Sequence, residues 1–585
     1  MLRTKIVCTL GPASHSEEIL KQMILSGMDV ARLNFSHGDA DYHAENIAMV
    51  RAASEELDSP VAILMDLQGP KLRVGKMQGE GVQLVENEII TLTTRAVLGQ
   101  GHEIPVQYAD LPRLVRPNEP ILIDDGLLEL VVLASSDTEI QCRVVTGGLL
   151  ESNKGMNLPH AHTGISAITD KDKVDLEFAL EHQADWVALS FVRSADDVLA
   201  LKALIQEQSC YGRLVPVIAK IEKPEAVKDI DAIIAASDGI MVARGDLGIE
   251  ASPEEVPLVQ KMIIHKCNLV GVPVITATQM LDSMMRNPRP TRAEASDVAN
   301  AILDGSDAIM LSGETAVGKY PLESVRTMVK IAEHAEAGMR KADRSLPLPK
   351  VRAKAIAEAV SHATCETARD LDAAAIITPT SSGSTARMVA KHRPRATIVA
   401  ITPSPMVQRQ LCLYWGVHPL LSKRFSNTDE MLADAIRAAK AHDLVKPGDI
   451  VVMTAGSAGS VPGTTNLIKV QAVERILTRG QGIGSSPVHG QVRSVGPPLP
   501  RDLDIHPSDI LVVQATDKGL VPLAQRAAGL VVVQGGADSH AAALATELGI
   551  TAIVGAEDAL STLKEGQVVT LDPLHGVVYE GQVRL

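Results

Sequence analysis

Aromatic residues are scarce in this chain of 585 residues, at 2% of the total, although hydrophobic residues as a whole make up 45%. Aliphatic side chains must therefore build the cores. A chain of this length exceeds what one core can organise, so we expect about three or four domains.

Positive charge is not in excess either, because the formal net charge is −15 at pH 7. A protein that neutralises the phosphates of a nucleic acid needs a basic face, so a nucleic-acid partner is not expected. Small anions can still be held by local clusters of basic residues.

Cysteines are few and far apart in the sequence, and the six are Cys8, Cys142, Cys210, Cys267, Cys365 and Cys412. No close pair suggests a zinc site or a redox motif, and a reducing compartment is the simpler interpretation. No run of about 18 apolar residues occurs, and Met1–Gly11 lacks the apolar stretch of a signal peptide. We expect a cytoplasmic protein with no membrane partner.

Short β-branched runs alternate with helix-length amphipathic segments, a pattern typical of parallel strands joined by crossover helices. A helix signal of this kind is Ser16 followed by Glu17 and Glu18. The eight runs are Lys5–Thr9, Val30–Phe35, Val61–Met65, Trp186–Phe191, Val215–Ala219, Gly239–Ala243, Pro273–Ala277 and Asp307–Leu311. Eight such units predict an α/β protein built on a (β/α)₈ barrel.

A long insertion, Gly69–Ile168, separates the third run from the fourth. Strand-like segments such as Glu88–Thr94, Pro120–Ile123 and Glu139–Val145 are divided by Gly, Asn, Asp and Pro turns. The insertion is therefore predicted to be an all-β domain on the loop face of the barrel, where it could serve as a lid.

Beyond the barrel, Arg344–Pro349 is predicted to be a linker and Ala353–Asp370 a helix, followed by α/β alternation to about Arg475. The segment Gly480–Pro500 is rich in Gly, Ser and Pro and is predicted to be a second linker, before a small terminal domain of apolar strands. The predicted domains are a barrel, a lid, an α/β domain and a terminal domain, at residues 1–68 with 169–343, 69–168, 344–475 and 476–585.

Polar or charged residues follow nearly every predicted barrel strand, and the carboxyl ends of barrel strands are where working residues lie. They are Arg32, Asn34, Ser36, Asp66, Ser190, Lys220, Glu222, Arg244, Asp246, Thr278, Ser312 and Glu314. We expect these side chains to converge on one cavity.

Two carboxylates stand out, because Glu222 and Asp246 follow adjacent predicted strands. Lys220 and Glu222 are two residues apart in an extended segment, so both side chains face the same way. Paired carboxylates suit Mg²⁺, which takes few protein ligands and leaves positions for substrate oxygens. The alternative is a structural ring of ion pairs at the end of the barrel.

Arg32, Lys220 and Lys171 would supply positive charge to an anionic substrate. Phosphoryl transfer depends mainly on cations placed around the moving group. Each of these residues taken alone is more often a solvated or paired side chain. The prediction rests on the constellation as a whole.

Six motifs, in order along the chain, closely resemble those of the pyruvate kinase family. They are Thr4–Ala13, Ala31–Gly38, Ile218–Glu222, Met241–Gly248, Ala277–Leu281 and Met310–Ala316. The resemblance extends to about Arg475. It implies transfer of the phosphoryl group of phosphoenolpyruvate to ADP, giving pyruvate and ATP, by a homotetrameric enzyme of glycolysis.

The resemblance also implies roles for the barrel residues. Glu222 and Asp246 would bind Mg²⁺ or Mn²⁺, while Lys220 and Arg32 would hold the transferring phosphoryl group from two sides. The substrate carboxylate would be bound by the amides of Gly245 and Asp246 and by the hydroxyl of Thr278, which is also near the site where the enolate is protonated.

Further positions match residues of the family that contact substrate phosphate or nucleotide. Lys171 corresponds to a phosphate-facing lysine, although its neighbours Asp170 and Asp172 differ from the usual ones. The implied nucleotide contacts are Asn34, Phe35, Ser36, His37, Arg73 and Lys154.

One departure from the family concerns its monovalent cation. Members that require K⁺ hold it with groups matching Asn34, Ser36, Asp66 and residue 67. Residue 67 of this chain is Leu67, which has no hydroxyl. Those members also carry Glu where this chain has Lys71. The ammonium of Lys71 could replace the ion, as in the K⁺-independent branch that this chain resembles. Activity without K⁺ is therefore predicted. The alternative is that Lys71 points to solvent and K⁺ is still needed.

A hydroxyl-rich loop follows an apolar strand downstream and opens a predicted helix, an arrangement suited to phosphate. It consists of Thr380, Ser381, Ser382, Gly383, Ser384 and Thr385. The loop matches the effector loop of the family, which implies an allosteric sugar phosphate or nucleotide monophosphate, with Gly456–Gly463 in the same pocket. An ordinary capped helix start is the alternative.

The terminal segment Gly535–Ala542 resembles the swivelling phosphohistidine domain of phosphoenolpyruvate-utilising enzymes, found as an extra domain in some bacterial pyruvate kinases. Those domains carry Thr where this chain has Asp538, two residues before His540. A carboxylate there would repel an incoming phosphoryl group. A structural or regulatory module is therefore favoured over a live phosphocarrier.

Two other functions compete with phosphoryl transfer. A metal-enolate lyase or aldolase would also use two carboxylates and Mg²⁺ beside an arginine, but it has no need of a nucleotide lid. A catalytically dead sugar-phosphate sensor would keep the effector loop, but the presence of Lys220, Glu222, Asp246 and Thr278 argues against it.

Overall fold

The computed structural model describes residues 2–159, 166–209, 214–252, 254–341, 355–425, 427–456, 463–473, 475–496 and 504–582. The chain divides into two compact units. The first comprises Met1–Asp370, Ala375–Ala438 and Met453–Lys469, and the second comprises Leu371–Ala374, Ala439–Val452 and Val470–Leu585. Among the described residues, no helix combines the length and the hydropathy that crossing a bilayer requires.

The amino-terminal part alternates strands and helices, as predicted. Its elements are β1 (Lys5–Thr9), α1 (Glu17–Leu25), β2 (Val30–Asn34), α2 (Ala40–Glu56) and β3 (Ala62–Asp66). The predicted start of α1 is confirmed, because the Ser16 hydroxyl accepts a hydrogen bond from the Ile19 amide at 3.3 Å.

In the described part of the insertion after β3, the regular elements are β-strands and one four-residue helix, which agrees with the predicted fold of this segment. Its elements are β4 (Val82–Leu84), β5 (Ile89–Thr93), β6 (Glu103–Pro105), α3 (Leu111–Leu114), β7 (Pro120–Ile123), β8 (Leu128–Ser135), β9 (Glu139–Thr146), β10 (Gly148–Leu150) and β11 (Met156–Asn157). Six strands form one sheet in the order β11-β7-β8-β9-β5-β6, and β10 pairs with β4. We call this segment the lid.

The strand and helix alternation then resumes. The elements are α4 (Asp170–Glu181), β12 (Trp186–Leu189), α5 (Ala195–Gln208), β13 (Val217–Ile221), α6 (Pro224–Lys228), α7 (Ile230–Ala236), β14 (Gly239–Ala243), α8 (Arg244–Glu250), α9 (Val256–Val270), β15 (Val274–Ala277), α10 (Arg292–Leu303), β16 (Ala308–Leu311), α11 (Gly313–Ala316) and α12 (Pro321–Lys341). The eight strands outside the lid close a parallel barrel in the order β1-β16-β15-β14-β13-β12-β3-β2.

The barrel strands are buried along almost their whole length, with only Asn34 partly exposed. Helices cover the outer face of a parallel barrel, so its strands are continuous apolar runs rather than alternating ones. This is why the eight runs could be identified from the sequence. Their observed bounds match for β1 and β14 and differ by one to a few residues in the others.

A five-stranded sheet follows the barrel, with strand order β19-β18-β17-β20-β21. Its elements are α13 (Ile356–Asp370), β17 (Ala375–Pro379), α14 (Ser384–Lys391), β18 (Thr397–Thr402), α15 (Pro405–Gln410), β19 (Val417–Leu421), α16 (Thr428–Ala441), β20 (Ile450–Ala455) and β21 (Leu467–Ala472). The predicted linker at 344–349 and most of the predicted loop at 456–463 lie outside the described residues.

The carboxyl-terminal part is an eight-stranded sheet in the order β22-β29-β28-β24-β25-β26-β27-β23. Its elements are β22 (Ile476–Arg479), β23 (Gln481–Ile483), β24 (Val488–Val495), β25 (Asp509–Val513), α17 (Val521–Ala524), β26 (Gly529–Val532), α18 (His540–Leu548), β27 (Thr551–Val554), α19 (Ala559–Thr562), β28 (Val568–Asp572) and β29 (Val577–Glu580).

The linker predicted at Gly480–Pro500 was wrong, because β23 and β24 lie within it. Its glycines allow close packing rather than flexibility. A Cβ added at Gly482 would lie 1.8 Å from the carbonyl oxygen of Pro573, and one at Gly490 would lie 2.0 Å from that of Ser508. Composition alone does not distinguish glycines of this kind from those of a flexible linker.

Candidate active site

Three charged side chains meet at the barrel mouth, by which we mean the carboxyl ends of the eight barrel strands. Arg32 lies in the middle of β2, Asp66 ends β3 and Lys220 lies near the end of β13. The Arg32 guanidinium is 2.6 Å from Oδ2 of Asp66, and the Lys220 ammonium is 3.3 Å from Oδ1 of the same carboxylate. Parallel strands bring residues more than 180 positions apart to one rim, as the sequence predicted.

Glu222 joins this cluster directly. Its Oε1 is 2.9 Å from the Lys220 ammonium, and its Oε2 accepts a hydrogen bond from the Phe191 amide at 2.7 Å. The Lys220 ammonium also donates to the hydroxyl of Ser190 at 2.6 Å. Because Glu222 is only 1% exposed, its charge is held by protein groups rather than by water.

The ionisation of the cluster follows from its burial and its charges. Burial by itself would lower the pKa of Lys220, but the charges of Asp66 and Glu222 outweigh burial and hold it above its usual value. Burial would raise the pKa of Asp66, but Lys220 and Arg32 hold it below its usual value. The site therefore keeps two buried cations and an ionised aspartate together at neutral pH.

The negative charge of Asp246 acts on the carboxyl group of Glu222. Burial raises the pKa of Glu222, and the negative charge of Asp246 raises it further against the opposing effect of Lys220. Among the described residues, no three His, Cys, Asp or Glu side chains form a metal-ligand group. Two carboxylates fit Mg²⁺, which binds few protein ligands.

Thr278 occupies a strained position after β15, with φ of +69°. Threonine is β-branched and rarely adopts this conformation, so surrounding groups must hold it. Arg244 donates to the Thr278 carbonyl at 2.7 Å and to the Ala277 carbonyl at 3.2 Å. The Gly245 amide donates to the Thr278 hydroxyl at 2.8 Å. Gly245 and Thr278, to which the family resemblance assigns the substrate carboxylate, are thus hydrogen-bonded to each other.

Lys171 lies at the start of α4, beside the segment that follows β2. Its ammonium donates to the Phe35 carbonyl at 2.9 Å and pairs with Asp175 at 2.6 Å. The lysine side chain is 51% exposed, so this ion pair is easily exchanged for an incoming anion.

The other basic residues expected to contact nucleotide lie in the lid. Arg73 donates to the Asn153 carbonyl at 3.0 Å, and the Lys154 ammonium pairs with Asp124 at 3.0 Å and Glu151 at 2.8 Å. Burial lowers the pKa of His37, and the charges of Arg73, Lys71 and Arg32 lower it further. The positive charge from the lid and the barrel mouth therefore acts on the predicted nucleotide segment.

Asn34 and Asp66, two of the family's K⁺ positions, are partners in the neighbouring strands β2 and β3. Asn34 Oδ1 accepts from the Ser36 amide at 3.1 Å, and the Leu67 carbonyl accepts from the Ser190 hydroxyl at 2.8 Å. Lys71 is exposed and lines a cleft, between the lid and the barrel, that Asp246 also lines. The ammonium group of Lys71 thus lies on the same side of the barrel as the Asp246 carboxylate.

A second cluster in the same cleft was not predicted from the sequence. Glu250 Oε1 is 2.5 Å from the Lys223 ammonium and accepts from the Asn157 side-chain amide of the lid at 2.8 Å. The Oε2 atom of Glu250 is buried without a hydrogen-bond partner. Glu250 follows Asp246 by four residues in α8, so both lie on one face of the helix. This spacing is the feature of the sequence that could have identified Glu250. We call Asn157, Lys223 and Glu250 the Glu250 cluster.

The predicted effector loop precedes α14. Gly383 has φ of +79°, and the Ser382 hydroxyl donates to that of Ser384 at 3.2 Å. The hydroxyl groups of Thr385 and Thr465 are 2.8 Å apart and buried. The loop is thus an ordered turn that precedes the helix, and Ser382 is exposed.

In the second unit, His540 is the first residue of α18. Its Nδ1 is 2.8 Å from the hydroxyl of Thr516, and the side chain is exposed.

The comparisons with protein families agree with this geometry. Three family models match the chain, described as "Pyruvate kinase, barrel domain" at residues 1–325, "Pyruvate kinase, alpha/beta domain" at 358–471 and "PEP-utilising enzyme, mobile domain" at 505–576. The chain belongs to the pyruvate kinase family. Enzymes of this family transfer the phosphoryl group of phosphoenolpyruvate to ADP and generally use Mg²⁺ and K⁺.

Curated pyruvate kinases match over the full chain. "Pyruvate kinase 2" of Synechocystis is 47% identical over 584 residues, covering 99% of this chain and 97% of the relative. The pyruvate kinase of Geobacillus stearothermophilus is 46% identical over 581 residues, covering 99% of each. A solved pyruvate kinase from Cryptosporidium parvum is 39% identical, with a TM-score of 0.74, and the match covers 81% of this chain and 96% of that one. The predicted fold class and the predicted family are both confirmed.

Proposed function

We propose that this chain transfers the phosphoryl group of phosphoenolpyruvate to ADP at the barrel mouth. The observation that carries this proposal is the buried cluster in which Asp66 and Glu222 hold the ammonium of Lys220 in place. A fixed, water-excluded cation is what a transferring phosphoryl group requires, since the protein's contribution to this reaction is mainly positioning and electrostatic stabilisation.

Glu222 and Asp246 would hold the divalent ion. The ion would supply positive charge that offsets the negative charge of the substrate oxygens. The raised pKa of Glu222 supports this role, because two carboxylates that disfavour each other's ionisation gain from a cation between them.

Lys220 and Arg32 would hold the phosphoryl oxygens from two sides. The amides of Gly245 and Asp246 and the hydroxyl of Thr278 would bind the carboxylate. As phosphorus forms a bond to a β-phosphate oxygen of ADP, its bond to the enol oxygen breaks. The enolate that is left then takes a proton from solvent at its methylene carbon. Thr278 would lie near this carbon, and its hydroxyl accepts a hydrogen bond from the Gly245 amide.

ADP would bind between the lid and the barrel. The proposed contacts are Asn34, Phe35, Ser36, His37, Arg73 and Lys154, with Lys171 facing substrate phosphate. Support comes from the charges that converge on His37 from Arg73, Lys71 and Arg32. A cation that already interacts with this segment can bind nucleotide phosphates there.

A coupled assay for pyruvate formation from phosphoenolpyruvate and ADP tests the proposal. We expect Mg²⁺- or Mn²⁺-dependent turnover, and a loss on the order of 1000-fold in Lys220→Met, which removes the buried cation. The matched control is Lys228→Met, because Lys228 is exposed at the end of α6. Turnover in Lys220→Met equal to that of the wild type would contradict the assignment.

The same assay separates the competing functions. A lyase or aldolase would consume an enolate-forming substrate without any need for ADP. A sugar-phosphate sensor would form no pyruvate under any condition.

We further propose that Lys71 replaces K⁺. Turnover should persist when K⁺ is exchanged for an inert organic cation such as tetramethylammonium, and Lys71→Glu should restore a dependence on K⁺. Loss of nearly all wild-type turnover without K⁺ would refute the replacement. The exposed position of Lys71 in the cleft that Asp246 lines supports access to the site.

The remaining proposals concern regulation and assembly. The loop 380–385 would bind a sugar phosphate or nucleotide monophosphate effector, and the enzyme would act in the cytoplasm as a homotetramer. The domain boundaries would be 1–68 with 169–343, 69–168, 344–475 and 476–585. The terminal domain would be structural or regulatory.

A further inference from the structure

The two carboxylates proposed as ligands of the divalent ion come from separate segments at the barrel mouth. Glu222 directly follows β13, and Asp246 lies in the first turn of α8. Both residues lie beyond the strand pairing of the barrel, which ends at Ile221 in β13 and at Ala243 in β14. The distance between the two carboxylates therefore depends on contacts outside the barrel sheet.

An ion pair joins the residues that accompany these two ligands. Lys223 directly follows Glu222, and Glu250 lies four residues after Asp246 on the same face of α8. The Lys223 ammonium is 2.5 Å from Oε1 of Glu250. The Glu250 side chain is only 1% exposed, so water screens this attraction little. The ion pair thus ties the segment after β13 to α8.

The same ammonium also lies over the ring of Phe191, 5.9 Å from its centroid, which is within the range of a cation–π interaction. Phe191 has φ of +55°, a conformation that a bulky residue rarely adopts. Its amide donates to Oε2 of Glu222 at 2.7 Å. Lys223 therefore contacts both the residue whose amide orients Glu222 and the helix that carries Asp246.

We propose that Lys223 and Glu250 are positioning residues for the divalent ion. This inference rests on the proposed function, in which Glu222 and Asp246 hold that ion. The ion pair keeps the two ligand-bearing segments at one spacing. Mg²⁺ requires a nearly ideal octahedral geometry, so a fixed spacing of its protein ligands favours binding.

An electrostatic role for the same pair predicts a different pattern. The charge of Lys223 repels a divalent cation, and the charge of Glu250 attracts one. Removal of Lys223 would then strengthen ion binding, whereas removal of Glu250 would weaken it. Direct binding of the ion by Oε2 of Glu250, which has no hydrogen-bond partner among the described residues, predicts the same opposite signs. Positioning predicts weaker binding in both cases, because either change breaks the same ion pair.

Titration of the full-length chain with Mn²⁺ tests the proposal without substrates or turnover, with free Mn²⁺ measured by electron paramagnetic resonance. We expect Lys223→Met and Glu250→Gln each to raise the Kd for Mn²⁺ about tenfold, the lower end of the effect of residues that orient metal ligands. The double variant, which leaves no unpaired buried charge, should show no more than the larger single effect, because both changes remove one interaction. Unchanged or tighter binding in Lys223→Met would overturn the proposal, as would single effects that multiply in the double variant.

Two further variants serve as controls. Lys391→Met breaks an ion pair with Glu358 that is also 2.5 Å long and has side chains 11% and 16% exposed, and it should leave the Kd for Mn²⁺ unchanged. Equal weakening in Lys391→Met would overturn the assignment of a specific role. Glu222→Gln removes a proposed ligand and should weaken binding more than Lys223→Met does. Wild-type affinity in Glu222→Gln would overturn the proposed ion site together with this inference. Weak binding in Glu222→Gln, with wild-type affinity in Lys223→Met and Glu250→Gln, would overturn the positioning role alone.

Discussion

At the scale of single residues, the barrel mouth depends on side chains that hold other side chains in place. Arg244 is such a residue. It reaches the carbonyls of Ala277 and Thr278 and pairs with Asp297 at 2.8 Å. Strain of the kind seen at Thr278 costs on the order of 1–3 kcal/mol and persists only when the surroundings enforce it.

We predict that Arg244→Ala lowers kcat by about 10- to 100-fold with a smaller effect on the KM for phosphoenolpyruvate. Without the two hydrogen bonds, the Thr278 segment can relax and misplace its hydroxyl. Steady-state kinetics at saturating Mg²⁺ measure both constants. Arg286→Ala is a suitable control, because Arg286 is 73% exposed and pairs only with Asp282 at 3.6 Å in the described structure. A wild-type kcat in Arg244→Ala would contradict this role.

At the scale of elements, the Glu250 cluster joins the lid to the barrel. Asn157 belongs to β11 of the lid, whereas Lys223 and Glu250 belong to the barrel. Glu250 is 5% exposed, so its hydrogen bond and its ion pair are shielded from water. The cluster therefore favours a lid position close to the cleft.

We predict that Asn157→Ala raises the KM for ADP about five- to tenfold and changes the KM for phosphoenolpyruvate less. Loss of a hydrogen bond to a buried carboxylate costs roughly 1–1.5 kcal/mol of the lid-closed state, which is about a tenfold change. Initial rates with each substrate varied in turn measure both constants. Gln83→Ala, an exposed substitution in the lid, is the control. Equal increases in both KM values would argue against a role in lid closure.

Helices α13 and α14 bring His362 and His392 together, with ring centroids 5.3 Å apart. Burial lowers the pKa of His392 to about 4, helped by the charges of His362 and Lys391 and opposed by Glu358. The Nε2 atom of His392 is buried without a partner. The unfolded chain therefore takes up a proton at a higher pH than the folded chain does.

From this follows an acid-dependent loss of stability. The contribution of neutral His392 to the free energy of unfolding is fully present above pH 6.5 and is lost as the pH falls toward 4. The loss between pH 7 and pH 5 is up to roughly 2 kcal/mol. Denaturant unfolding at both pH values should show a smaller loss in His392→Asn than in the wild type. His102→Asn, at a 67% exposed histidine, should behave like the wild type. Identical losses in all three proteins would contradict the prediction.

At the scale of the whole molecule, the residues proposed for catalysis all lie in the first unit, while His540 lies in the second. The match of residues 505–576 to the mobile domain of phosphoenolpyruvate-utilising enzymes raises the question of a phosphorylated histidine. Asp538, two residues before His540, puts negative charge where a phosphoryl group would arrive.

We predict that His540→Ala leaves pyruvate formation unchanged. Incubation of the wild type with radiolabelled phosphoenolpyruvate should leave no acid-labile phosphate on His540. The variant protein provides the background for the labelling measurement. Label that is present in the wild type and absent in the variant would establish a phosphocarrier instead.

Local sequence patterns were sufficient for the fold of the barrel and for much of its site. Continuous apolar runs marked the eight strands, because both faces of a parallel barrel strand are buried. The rule that polar residues follow such strands selected Arg32, Asp66, Lys220 and Glu222, and the structure brings these four together. Bounds shifted by a few residues, since strand ends depend on pairing with neighbours.

Only the tertiary structure decided how distant segments of the chain contact one another. The sequence by itself determined the fold class, the family and the barrel residues that meet, because each depends on patterns within a strand and the residues just after it. It could not determine that Asn157 reaches Glu250 or that Gly482 packs against Pro573 in a sheet. Such contacts depend on how packed elements approach one another, and no local spacing records that distance.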